Sequence, residues 1–279
     1  MKVLVLGGTG RLGAPVVEHL LAAGHQARVG VRSGDAAGTD PGAEQVSLDV
    51  LDARSVESAI AGCDAVHVSV SGAAEGPAVE HAVAAAKRAD VELVSYISGT
   101  ATFPENADAF GVGTKLDCEQ LVRSSGMRLL ILCPSFAMEL LPMHVQRGRV
   151  IYFGRQPHPF HWLAADDLGR YLAAAYETDA ALDRRLFVWG PEALSIQDAL
   201  RRYCAALDPE IGEPRSIPFW FGRALGSITR DESLKLAVAV YEMYEQVGGD
   251  GGDPAETYEL LGRPQTTLET WVDRRRRAN

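Results

Sequence analysis

Four glycines fall within the seven residues GGTGRLG, Gly7 to Gly13, between the apolar run KVLVL and the amphipathic stretch GAPVVEHLLAAG. Gly7, Gly10 and Gly13 form a GxxGxxG spacing, with Gly8 as a further small residue. Such a loop can supply a tight turn of positive φ, bare N–H groups close to a pyrophosphate, and the positive end of a helix dipole. It therefore predicts a dinucleotide site contacted by Gly7, Thr9, Gly10, Arg11, Leu12 and Gly13. The competing reading is a glycine-rich turn that only lets helix and strand pack closely.

NAD sites place Asp or Glu at the end of the second strand to hold the ribose 2′-hydroxyl. The matching segment here, RVGVRS, has no acid at that place. Arg32 stands there, with Ser33 beside it and Arg11 in the loop, and all three can meet a 2′-phosphate. The pattern predicts NADP(H) in preference to NAD(H).

The elements that must position these residues follow from the alternation of short β-branched runs with Ala-rich segments of helical period. KVLVL, QARVGV, AEQVSL, AVHVSV, VELVSYIS and MRLLIL read as strands; GAPVVEHLLAAG, RSVESAIAG, PAVEHAVAAAKRA and KLDCEQLVRSSG read as the crossover helices. This predicts an α/β fold, a Rossmann-type doubly wound parallel sheet. Residues 1–135 form the expected NAD(P)-binding domain, with 160–190 returning to it. Residues 136–159 and 191–279 form a smaller, mostly helical substrate lobe. GGDGGDP at 248–254 reads as a flexible connection and Arg274 to Arg277 as a solvated tail.

A chain of 279 residues can bury a sizeable core, and its formal charge of −10 argues against a nucleic-acid partner. The N-terminal apolar run is too short for a signal peptide core or a membrane span, so no membrane association and a cytoplasmic location are expected. Cys63, Cys118, Cys133 and Cys204 are scattered without a CxxC pair and read as reduced thiols, with no metal site.

GGTGRLG, the later VRS, SLDVLD, KLDCEQLVRSSGMRLLILCPSFAMELL, HWLAADDLGRYLAAAYE and LFVWGPEALSIQDALRRY together resemble the NmrA-like group of atypical short-chain dehydrogenases/reductases, over nearly the whole chain up to about residue 205. The resemblance implies that Asp49 and Val50 hold the adenine ring, that Ser69, Val70 and Ser71 lie beside the adenosine ribose, and that Ser98 ends the fifth strand near the nicotinamide. It also implies that Lys115 hydrogen-bonds the nicotinamide ribose and that Pro134, Ser135 and Phe136 pass over the nicotinamide. Lys115 and Ser98 are the expected catalytic residues, and a homodimer through the sheet's flanking helices is a family-level expectation. Read on residue type alone, Asp49 serves equally as a turn acceptor, Ser98 as a capping hydroxyl and Lys115 as a solvated lysine.

Catalytic members of the wider superfamily carry Tyr-xxx-Lys, the phenol passing the proton. Four residues before Lys115 stands Gly111; Tyr96 falls inside a strand, and the neighbouring Phe110 has no proton to give. Reduction then needs another acid, or an acceptor such as a quinone whose hydroquinone anion water can protonate. Phe103, Met138, His144, His161 and Trp162 are the expected substrate pocket, although the Met and aromatic set also suits core packing. His144, His158 and His161 are the candidate acids, whereas His67, between two valines of a strand, reads as structural. Three functions compete: an NADPH-dependent reductase of a small apolar or aromatic acceptor of the quinone or enone type, a non-catalytic NADP(H)-binding redox sensor acting through a protein partner, and a nucleotide-sugar epimerase.

Overall fold

The computed structural model describes residues 1–32, 39–146, 148–207 and 211–278. Strands Lys2–Leu6 (β1), Gln26–Val31 (β2), Glu44–Ser47 (β3), Ala65–Val68 (β4), Leu93–Ile97 (β5) and Arg128–Pro134 (β6) alternate with helices Gly13–Ala22 (α1), Ala53–Ile60 (α2), Glu75–Arg88 (α3) and Val112–Arg123 (α4). Then come Val145–Gln146 (β7), Arg149–Phe153 (β8), Phe160–Trp162 (β9), Ala165–Tyr176 (α5), Arg184–Val188 (β10), Glu192–Leu194 (β11) and Ile196–Leu207 (α6). The chain ends with Arg215–Ile217 (β12), Phe219–Thr229 (α7), Glu232–Val247 (α8), Ala255–Leu261 (α9) and Leu268–Ala278 (α10).

The main sheet has the order β10-β6-β5-β4-β1-β2-β3, with every pairing parallel. Period-2 alternation divides β1 between its two faces. Val3 and Val5 pack with Val16, Val17 and Leu20 of α1 and Leu168 and Leu172 of α5, whereas Leu4 and Leu6 pack with Val56, Ile60, Val79 and Ala82 of α2 and α3. Each such side chain contributes about 1.5–3 kcal/mol when fully buried, which is why the central strands are apolar on both faces. Strand order reverses between β1 and β4, so the crevice for a ligand opens above the carboxyl ends of those two strands.

Residues beyond β6 supply both the sheet's last strand, β10, and a third apolar cluster. In that cluster Met138, Phe136, Phe160 and Trp162 pack with Tyr203, Tyr241 and Trp271. Two small sheets, β9 with β11 and β7-β8-β12, support it beside the helices α6 to α10 that make up most of the lobe. Arg274 to Arg277 are exposed, as expected, and lie within α10, where Arg274 pairs with Asp166 and Arg275 covers the Trp271 ring, because Leu268 and Val272 bury that helix's inner face. One local expectation is corrected, that of a flexible connection. The 248–254 segment is pinned: Asp250 is only 3% exposed, and Gly251 and Gly252 press on Phe103 and Phe187 where any Cβ would collide.

His67 is fully buried in β4, its Nδ1 2.7 Å from Ser95 Oγ, which is itself 2.7 Å from the Tyr176 hydroxyl. Burial lowers its pKa to about 3, and burial lowers His144 and His25 as well. The unfolded chain takes up a proton on His67 below about pH 6.5, whereas the native chain does so only near pH 3. Stability is therefore complete above pH 6.5 and is lost on acidification, at up to about 1.4 kcal/mol per pH unit for this residue. Thermal unfolding between pH 7 and 4 is expected to show Tm falling throughout; a flat Tm would contradict the assignment.

Candidate cofactor and acceptor site

The glycine loop bridges β1 and α1 at the switch point. Gly7 has φ +85°, and a Cβ there would lie closer than 3.0 Å to the Ser69 carbonyl oxygen. A Cβ on Gly13 would meet the Gly7 carbonyl just as closely. The loop closes on itself through Gly10 N–H donating to the Gly7 carbonyl at 2.9 Å. Thr9, Gly10 and Arg11 are exposed, α1 has no side-chain cap at Leu12, and no acid occupies its first turn. The helix end is thus exposed with no carboxylate in its own first turn to answer its partial positive charge, the arrangement a pyrophosphate fits.

Along the crevice, Arg32 follows β2 and is exposed; Ser33 lies outside the described residues. Asp49 is exposed after β3 and accepts the Leu51 N–H at 2.9 Å through Oδ1, so it serves as a turn acceptor. The Val50 carbonyl lies 2.9 Å from His81 Nδ1. Ser69 and Val70 are half-buried over Gly7, and Ser71 is exposed at the turn leading to α3.

At the carboxyl end of β5, Ser98 is buried. Its Oγ donates to Glu119 at 2.6 Å and lies 3.2 Å from Thr102 Oγ1. Glu119 also accepts Arg185 Nε at 2.8 Å, and Arg185 lies over the stacked rings of Phe103 and Phe187. The Ser98 hydroxyl is therefore tied into an internal side-chain network. Burial in the same place raises Cys133 to about 12, leaving an unreactive thiol.

Lys115 lies in α4 and turns to Glu75 at the start of α3. Its Nζ donates to Glu75 Oε1 at 2.5 Å, and the Tyr96 hydroxyl donates to the same oxygen at 2.7 Å. Glu75 is 5% exposed and Lys115 25%. Burial, then the Glu75 carboxylate, push the Tyr96 phenol far above the ordinary tyrosine range, so it stays a neutral donor. Gly111, four residues before Lys115, has φ +77° and open space around its Cβ position.

The expected acceptor pocket divides. Met138 and Trp162 have no exposed surface and belong to the second lobe's core, as does Phe136. The buried His144 ring contacts the Leu140 and Leu141 carbonyls through Nδ1 and the Tyr241 hydroxyl through Nε2, so it is fully partnered. Pro134 and Ser135 end and follow β6, with Ser135 Oγ donating to the His161 carbonyl. Phe103 and His161 keep part of their surface exposed. Glu75, Asp250, Glu119 and Arg185 were not singled out by motif, since each belongs to an ordinary-looking helix, loop or strand and reaches the site only through the tertiary fold.

Residues 7–140 match the NAD(P)H-binding family model. No curated protein sequence matches the chain. Among solved structures, a nucleoside-diphosphate-sugar epimerase from Staphylococcus aureus superposes with a TM-score of 0.77 at 17% identity, covering 98% of this chain and 99% of that one. An NADPH-dependent quinone oxidoreductase from Escherichia coli, complexed with NADPH, gives 0.75 at 20% over 98% and 99%. The triphenylmethane reductase of Citrobacter sp., complexed with NADP(H), gives 0.76 at 16% over 98% and 99%. At these identities the likeness is one of fold. Among the described residues no helix is long and apolar enough to cross a membrane. Residues 7–140 thus match an NAD(P)H-binding domain, and the chain as a whole shares the fold of these three solved structures.

Proposed function

We propose that this protein is an NADPH-dependent reductase of a small apolar or aromatic acceptor of the quinone or enone type. The observation that carries the reading is Lys115, held by the buried Glu75 at the same carboxyl edge as an outward-facing phosphate loop. Bound NADPH supplies the hydride. The N–H groups of Thr9 to Leu12 and the α1 dipole hold the pyrophosphate, Arg32 and Arg11 meet the 2′-phosphate, Lys115 orients the nicotinamide ribose, and the Pro134 to Phe136 segment covers the ring. Gly111 in place of a phenol suits acceptors whose reduced anions are stabilised by conjugation. The quinone oxidoreductase and the triphenylmethane reductase, both complexed with the phosphorylated cofactor, support the same class.

The sensor reading has one observation in its favour: the apolar bulk of Met138 and Trp162 is fully enclosed and so is not an open pocket wall. Following NADPH absorbance against a panel of quinones and enones separates the two. Loss above the protein-free rate, lowered by somewhat more than about 10²-fold in Lys115→Ala, is expected. Arg32→Ala is expected to weaken NADPH binding roughly 10- to 100-fold while leaving NADH nearly unchanged, the effect of one charge-assisted bond to a phosphate. Stoichiometric NADPH binding with no acceptor consumed would overturn the reductase in favour of the sensor.

A further inference from the structure

Hydride transfer to a quinone or enone leaves an anion that must gain a proton, and four hydroxyls at this edge are engaged elsewhere. Ser98 donates to Glu119, Thr100 to Asp250 Oδ1 at 3.2 Å, Ser135 to the His161 carbonyl, and Tyr96 to Glu75. His161 is different. Its Nδ1 lies 3.1 Å from Asp250 Oδ2, which also accepts the His161 backbone N–H at 2.6 Å. Its ring stacks on Trp189 with centroids 4.5 Å apart and planes 20° apart, and Nε2 has no hydrogen-bond partner among the described residues. The side chain is 31% exposed and borders an open cavity of about 460 Å³, together with Trp189, Tyr258 and Arg263. Trp189 Nε1 is buried without a hydrogen-bond partner among the described residues.

Resting on the reductase reading, we propose that His161, fixed by Asp250, is the proton donor to the reduced acceptor, in the role of the missing tyrosine. A carboxylate at Nδ1 keeps the proton on that nitrogen and leaves Nε2 as the exchanging one. Asp250 ties His161 to Thr100, two residues past Ser98, and Ser135 ties it to the segment that follows β6. The acceptor takes the hydride from reduced nicotinamide, so NADPH loses two electrons and the acceptor gains them as an anion. The imidazolium Nε2–H passes its proton to that anion, and the neutral ring is reprotonated by water through its exposed edge.

Two readouts test this. In the protein–NADP⁺ complex, binding of 4-nitrophenolate, a flat anion standing for the reduced acceptor, is followed by its own absorbance; His161→Gln is expected to weaken it roughly tenfold, the loss of one charge-assisted bond. In turnover with an enone, His161→Gln is expected to lower kcat on the order of 10²-fold with NADPH affinity intact. His161→Ala is expected to recover with added imidazole, which the open cavity admits, and a merely structural histidine would show no such rescue. Asp250→Asn is expected to lower kcat in the same direction. A His161→Gln protein that keeps both phenolate affinity and turnover overturns the inference while leaving the reductase reading standing. If the wild type consumes no acceptor, the reductase reading fails on its own, and unchanged phenolate affinity in His161→Gln then removes His161 from the site as well.

Discussion

Gly13→Ala is expected to remove most NADPH binding, weakening it on the order of 10²-fold, and to lower stability by about 1–3 kcal/mol. The new methyl would lie closer than 3.0 Å to the carbonyl oxygen and carbon of Gly7, both backbone atoms of the same loop. No side chain can rotate out of the way. Relief must come from moving the turn or the first residues of α1, and both carry the N–H groups that would hold the pyrophosphate. Gly212→Ala is the control, because its Cβ position has nothing within 4 Å and its φ is ordinary. Isothermal titration with NADPH and a thermal melt read the two effects separately. A Gly13→Ala protein of lowered Tm but normal NADPH affinity would mean that the loop packs tightly without approaching the cofactor.

The sheet was legible because each of its strands is a short apolar run bounded by helical period or glycine, and parallel strands covered on both faces need that composition. QARVGV lies in the structure as Gln26–Val31, and Ser195 caps the start of α6, its Oγ accepting the Asp198 N–H at 3.1 Å. The second lobe was less legible. Its strands are only two to five residues long, and its core joins side chains as far apart in sequence as Met138 and Trp271. GGDGGDP misled for a physical reason. Gly248, Gly249 and Gly252 take positive φ and let the backbone lie against Phe103 and Phe187, so the glycines serve close packing rather than mobility, and Asp250 fixes the segment.

The site's residues divide in the same way. The loop glycines announce themselves by spacing, since a backbone conformation and a close approach are properties of the local chain. Lys115 needed the family resemblance. Glu75 and Asp250 had no signature, because a carboxylate acquires its role from the donors brought to it: Lys115 and Tyr96 from 40 and 21 residues away, and His161 from 89. Met138 and Trp162 illustrate the reverse. Their side chains suit a pocket wall or a core equally well, and only the packing of β9 against the second lobe decides between them.

Glu75→Gln is expected to lower acceptor turnover on the order of 10²-fold, nearly as far as Lys115→Ala. Glu75→Leu is expected to cost in addition about 2–3 kcal/mol of stability. Oε1 of Glu75 receives both Lys115 Nζ at 2.5 Å and the Tyr96 hydroxyl at 2.7 Å. Glutamine keeps an oxygen for the phenol and loses the charge that draws in the ammonium. Lysine's long stem then leaves Nζ free to move, and a displacement of about 1 Å at a positioning group is enough for a loss of that size. Leucine also strands a buried phenol without its acceptor, and burial, the larger cause of its raised pKa, still holds it protonated. The decisive comparison is the double variant. If Glu75 acts by holding Lys115, then Glu75→Gln adds little to Lys115→Ala, whereas two independent losses would multiply. Tyr96→Phe separates the remaining strand of the network, removing one donor to Glu75 and leaving the ion pair, and its turnover is expected to stay close to that of the wild type.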